Sequence, residues 1–136
     1  MLDDAIYDAG FNLESVVVNV NKSGDLKGPI LGEECITIAG KPTITDTFSG
    51  LNFEISPLAF YQVNTQQMEK LYAIAVDYAG LTGEETVLDL YCGVGTIGLL
   101  CAGKAKQVLG IEVVKGAVID ANRNAVINGI VNARYI

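Results

Sequence analysis

The chain has 136 residues, half of them hydrophobic and 18% charged, with a net charge of −7. That is room for one ordinary domain with a packed core, and it excludes global disorder. The acidic balance also excludes this stretch as a major nucleic-acid surface, because phosphate affinity comes chiefly from clustered Lys and Arg, and the nine basic residues are scattered.

In chain order, Leu2 to Phe11 reads as a short helix. Four β-like segments follow, Ser15–Val20, Cys35–Ala39, Thr43–Thr45 and Leu51–Ile55, separated by the turn clusters Ser23-Gly24-Asp25, Gly40-Lys41-Pro42 and Ser49-Gly50. They predict a small antiparallel meander. In the last segment Leu51, Phe53 and Ile55 alternate with Asn52, Glu54 and Ser56, which sets one face on a core and the other in water.

From residue 60 the period changes. Met68, Leu71, Tyr72, Ala75, Val76 and Ala79 fall at helical spacing, with Asn64 or Thr65 to cap the start and Gly80 to end it. Thr86–Leu90 has the continuous apolar character of a parallel strand covered on both faces. A glycine loop leads into a helix from about Thr96 to Ala102, and Gln107–Ile111 is a second parallel strand. Val114, Ala117, Val118, Ala121 and Ala125 mark one face of a further helix ended near Asn128-Gly129, and Arg134-Tyr135-Ile136 begins a third strand. Asn122, Asn124, Asn128 and Asn132 read as helix-end and turn residues, and Lys104 and Lys106 as a solvated helix end favoured by its dipole. The division expected is a β-rich region over 1–59 and an α/β region over 60–136.

No apolar run approaches the roughly 18 residues that span a bilayer, and the start lacks a secretion-signal pattern, so the expected location is the cytoplasm. Cys35, Cys92 and Cys101 are odd in number and lack paired ligand spacing, which fits reduced thiols and no metal site. The absence of histidine excludes imidazole catalysis within this chain.

The chemistry concentrates in Asp89-Leu-Tyr91-Cys92-Gly93-Val-Gly95-Thr96-Ile-Gly98, a strand running into a glycine loop that opens a helix. Glycines there let the backbone turn sharply and approach a nucleotide-like ligand. Glu112 ends the next strand about twenty positions on, where an acid binds ribose hydroxyls, so the pattern alone also satisfies a dinucleotide fingerprint. Asp89 tilts the choice. A pyrophosphate on the helix N-terminus would be repelled by that carboxylate, whereas the ammonium and sulfonium of S-adenosylmethionine favour it and its ribose diol can use Glu112.

Phe60-Tyr61-Gln62-Val63-Asn64, Leu71-Tyr72, the Asp89 to Thr96 loop, Gly110-Ile-Glu112, Ala121-Asn122-x-Asn124-Ala125 and Asn128-Gly129-Ile-Val-Asn132-Ala133 together resemble the uracil-5 RNA methyltransferase family, which modifies ribosomal and transfer RNA. The order and spacing agree from Gly40 to the end. Tyr91, where general methyltransferase loops carry glycine, and the Gln-Val-Asn segment resemble this family in particular. The resemblance implies a truncated Rossmann-like class I methyltransferase sheet preceded by a small antiparallel β-rich subdomain. It implies S-adenosylmethionine as cofactor, held by Gln62, Asp89, Tyr91, Gly93 and Glu112, and RNA as the partner of a longer parent.

The implied chemistry needs a thiolate to add to uracil C6, so that the enolate formed attacks the sulfonium methyl before a base removes the C5 proton. Cys92 is ill placed for that, since the carboxylate of Asp89 raises a thiol pKa; it reads instead as a small buried hydrophobe. The family's later acidic contact, Asp-Pro-Pro-Arg-like segment, nucleophilic cysteine and glutamate base have no match here, nor has its upstream iron–sulfur site. The sequence is therefore expected to be a fragment, inactive alone, with no catalytic residue of its own. Its cut sheet is expected to self-associate. A non-catalytic module binding adenosylmethionine or a dinucleotide is the alternative.

Overall fold

The computed structural model describes residues 6–22, 30–32 and 34–136. The turn expected at Ser23-Gly24-Asp25 and the start of the helix expected over Leu2–Phe11 lie outside them; residues 6–8 are helical and close on the bond from Gly10 N–H to the Tyr7 carbonyl at 2.9 Å. The chain divides into two compact units, Met1–Ile44 and Thr45–Ile136.

In the first unit β1 (Ser15–Val20) and β2 (Glu34–Gly40) pair antiparallel, from Ser15 opposite Gly40 to Val20 opposite Glu34, with a bulge between Val16 and Val17. Asn19 braces the return of the chain, its amide accepting from Gly32 N–H and donating to Gly32 O, both at 2.8 Å.

The second unit opens one residue into β3 (Ile44–Phe48), which is followed by β4 (Leu51–Ile55). Ser49 and Gly50 between them both have positive φ, 48° and 77°, the backbone of the tight hairpin turn whose twist matches paired strands. Glu69 holds the strained Ser49 by accepting from its N–H and hydroxyl, each at 3.0 Å. The expected meander is not continuous, because β1–β2 and β3–β4 are separate two-stranded sheets. The hairpin, grouped from composition with residues 1–59, packs in the second unit: Phe48 stacks on Phe53 at 4.8 Å, and with Ile55 these residues share a core with Met68, Cys92, Leu99, Ala121, Ala125 and Tyr135.

Helix α1 (Thr65–Tyr78) is capped by the Asn64 side chain, which accepts from Gln67 N–H, and stops before Gly80 at φ 58°. Then β5 (Thr86–Leu90), α2 (Thr96–Ala102), β6 (Gln107–Ile111), α3 (Lys115–Ile127) and β7 (Ala133–Tyr135) build a three-stranded parallel sheet in the order β5-β6-β7. Val87 and Val108 pack under α1 and α2 with Val76, Cys101 and Ala102. Leu88 and Leu90, on the opposite face of β5, are about 60% exposed, so the strand expected to be covered on both faces is covered on one. Among the described residues no helix is long and apolar enough to cross a membrane.

Candidate functional site

The parallel strands β5 and β6 both end at one edge of the sheet, and the chain leaves β5 through Tyr91 and Cys92. Their N–H groups both donate to the Ile111 carbonyl, at 2.8 and 3.2 Å, which ties the start of the loop to the end of β6. Tyr91 carries a positive φ of 61°, a costly conformation for a side chain of that size, and its ring is 85% exposed. Gly93 (φ 55°) and Gly95 (φ 84°) then turn the chain into α2, whose first residue follows Gly95.

The glycines divide by cause. A side chain on Gly93 would meet only the Phe60 carbonyl, at 3.8 Å, so this position lies open, as a backbone approached by a ligand must. Gly95 and Gly98 are glycine for another reason. A Cβ on Gly95 would lie 2.9 Å from the Tyr135 ring, and one on Gly98 would lie 2.8 Å from the Tyr135 hydroxyl and 2.9 Å from Asp89 Oδ2. Gly110 on β6 faces the same ring. Of the two causes expected for the loop glycines, Gly93 fits ligand approach and, with Gly95, the sharp turn; the close packing of Gly95 and Gly98 on one buried tyrosine is a third cause, outside those expected.

Asp89 stands at the end of β5 and accepts from Gly98 N–H at 2.9 Å through Oδ2. Burial raises its carboxyl above the usual range, and the Gly98 bond offsets only part of that. Beside it, burial first and then the charges of Asp89 and Glu112 push the Cys92 thiol up to about 12, so it is protonated at neutral pH. Cys101 is raised in the same direction, chiefly by burial. Glu112 accepts from Gly93 N–H at 3.1 Å through Oε2 and from Val113 and Val114 N–H at 2.8 and 2.9 Å through Oε1. Three of roughly four acceptor positions of the carboxylate are therefore taken by backbone.

A cavity of about 170 Å³ opens at this edge. Gln62, Asp89, Tyr91 and Gly93 line it together, with Phe60 and Thr96 among the other walls. Glu112 is not in its wall; it touches the site from behind, through the Gly93 N–H.

Sequence reasoning missed the polar face of α3. Asp120 and Asn124 are fully buried, and Asn124 donates to the Val94 carbonyl inside the loop at 3.1 Å. Asn124 is no helix-end residue, and the i, i+4, i+8 row Asp120, Asn124, Asn128 beside an alanine stripe was the available signal. Asn128 and Asn132 do sit at ends: Asn128 is the C-cap of α3, and Asn132 donates to the Ala102 and Ala105 carbonyls past the end of α2.

A family model described as tRNA (uracil-5-)-methyltransferase matches residues 43–136. Among curated proteins, an uncharacterized RNA methyltransferase of Caldanaerobacter subterraneus subsp. tengcongensis is 50% identical over 135 residues, which is 99% of this chain and 29% of the relative. One of Staphylococcus aureus is 47% identical over 133 residues, 98% of this chain and 29% of that protein. Among solved structures, the tRNA (uracil-54, C5)-methyltransferase of Pyrococcus abyssi in complex with S-adenosyl-L-homocysteine superposes with a TM-score of 0.73 at 28% identity, over 95% of this chain and 31% of that one. The chain spans under a third of the length of the curated relatives it matches.

Proposed function

The chain belongs to the tRNA (uracil-5-)-methyltransferase family, and from that premise we propose that it is part of an S-adenosylmethionine-dependent RNA methyltransferase acting on uridine C5, to which this stretch supplies part of the cofactor site and not the catalytic cysteine. The observation that carries the reading is the edge of β5, where an open Gly93, the Asp89 carboxylate and Gln62 line one cavity. A Cβ at Gly93 would project into space with no neighbour closer than 3.8 Å, which suits a cofactor lying along the backbone.

The cofactor supplies an electrophilic methyl on a sulfonium. Gln62, Asp89, Tyr91, Gly93 and Glu112 are the residues proposed to hold it. A cation near Asp89 favours the ionised form of its buried carboxyl, so binding offsets the desolvation that raises it. Glu112 has one acceptor position left, so a bidentate grip on a ribose diol requires it to share or release the Gly93 N–H. Tyr91 presents its ring at the mouth of the cavity, and its strained backbone fits a functional constraint.

The protonated state of Cys92 supports the view that the nucleophile lies elsewhere in a longer parent, as do RNA contacts, given the net charge of −7. Ribosomal or transfer RNA is the proposed substrate class and the cytoplasm the proposed location. The uncovered β5, with Leu88 and Leu90 exposed, supports self-association of this stretch when alone.

Calorimetry of the intact parent with S-adenosylmethionine and with NAD tests the ligand: binding of the first alone is expected, and preference for NAD would overturn it. Mass spectrometry of RNA from cells lacking the gene tests the reaction. One missing 5-methyluridine is expected, and an unchanged set of methyluridines would reject it.

A further inference from the structure

Asp120, Asn124 and Asn128 lie one turn apart along α3 and meet the outer edge of β4. Asn128 accepts from Asn52 N–H at 2.9 Å and donates to Asn52 O at 2.7 Å. Asn124 accepts from Glu54 N–H at 2.8 Å and donates to Glu54 O at 3.2 Å. Asp120 accepts from Ser56 N–H and hydroxyl at 2.8 and 2.7 Å. Four helical residues rise about 6 Å and two strand residues about 6.8 Å, near enough for the two repeats to stay in step over three pairings. Side chains thus replace the neighbouring strand that β4 lacks.

The middle member differs from its neighbours in reaching a second element. Asn124 is fully buried, and its remaining donor goes to the Val94 carbonyl in the glycine loop, so every hydrogen-bonding valence of the amide NH2 and one of its oxygen is used. The next carbonyl along, that of Gly95, accepts from the Tyr135 hydroxyl at 3.3 Å. Two successive loop carbonyls are therefore held by buried side chains, while the flanking Gly93 and Gly98 N–H groups are held by Glu112 and Asp89. We propose that Asn124 is a positioning residue for the cofactor loop, fixing Val94 against α3 and coupling the loop to the seat of β4.

The proposal deepens the cofactor reading above, and its affinity arm rests on that reading; its structural arm does not. Asn124→Ala removes both the β4 pairing and the loop bond, whereas Asn128→Ala removes a β4 pairing and a bond to the Asn124 carbonyl but none to the loop. Amide hydrogen exchange at Gly93 and Gly98 is expected to quicken about tenfold in Asn124→Ala and to stay within twofold of wild type in Asn128→Ala, the scale set by one lost buried hydrogen bond. The dissociation constant for S-adenosylhomocysteine is expected to follow the same order, at a temperature where circular dichroism shows all variants folded. Asn124→Asp keeps the side-chain volume and the acceptor for Glu54 N–H while losing the donors to the Glu54 and Val94 carbonyls, and serves if the alanine variant does not fold. Loop exchange no faster in the Asn124 variants than in Asn128→Ala overturns the proposal. Intact parent protein that binds no S-adenosylhomocysteine would instead sink the cofactor reading, with the exchange comparison still deciding the role of Asn124.

Discussion

The Tyr135 ring occupies the space that a side chain on Gly110 would need, across the β6–β7 pairing in which the two residues stand opposite. Gly110→Ala is therefore expected to cost about 3 kcal/mol or to prevent folding, since the buried ring has nowhere to go. Gly116→Ala, inside α3 with nothing within 4 Å of the new carbon, is expected to stabilise by about 0.5–1 kcal/mol. Urea unfolding of both variants checks the pair; equal effects would remove Tyr135 as the cause of the glycine.

Asp89 predicts a trade between stability and binding. Its carboxyl is raised by burial above 3.8, so the folded chain keeps that proton longer than the unfolded one does. Its contribution to stability accordingly falls as pH rises above about 4. Asp89→Asn removes the buried charge and keeps an acceptor for Gly98 N–H. At pH 7 the variant is expected to gain about 1 kcal/mol without ligand and to lose about tenfold in affinity for S-adenosylmethionine. Thermal melts with and without ligand read both effects, and a variant that is less stable yet binds normally would contradict the argument.

Cys92 is raised to about 12 from 9.0, which keeps the thiol neutral through the physiological range. Iodoacetamide at pH 8 is expected to label half-buried Cys35 first and to leave buried Cys92 and Cys101 unlabelled until the chain unfolds. The linked stability falls as pH rises from about 9 towards 12, because the unfolded thiol ionises first. Cys92→Ser should flatten that decline, and peptide mapping showing fast labelling of Cys92 in the native chain would refute its burial.

Glu112 joins the loop, β6 and the start of α3 through three backbone N–H groups. Glu112→Ala is expected to weaken S-adenosylmethionine binding by about 1–3 kcal/mol, the scale of charge-assisted hydrogen bonds, and to lower the melting temperature as well. Calorimetry separates the two at a temperature where the variant is folded. Unchanged affinity would leave Glu112 a structural clamp and nothing more.

Where one period governs, the chain could be read directly. Ser15–Val20, Leu51–Ile55, Thr86–Leu90, Thr96–Ala102 and Gln107–Ile111 form the elements expected, because alternation, apolar runs and glycine punctuation act within a few residues. The carboxyl ends of β5 and β6 follow from that, and with them the meeting of Asp89, Tyr91 and Gly93; Gln62, which joins them in the cavity wall, is expected through the family resemblance alone. What stayed illegible depends on partners distant in sequence. Gly95 and Gly98 are small because of Tyr135, some forty positions later, and Asn124 is buried because Glu54 and Val94 present backbone groups to it. Asparagine on a helix reads as surface until the unpaired strand it serves is known.

The Asn122 amide accepts from Tyr135 N–H at 3.2 Å and donates to Tyr135 O at 2.8 Å, on the side of β7 away from β6. Together with the three side chains along β4, this shuts two strand borders against any newcomer, whether a sister molecule or an amyloid-like template. Within the three-stranded sheet the β5 border is thereby the one left able to recruit, so accretion of strands onto that sheet proceeds from the side of β5, beside the carboxylate of Asp89.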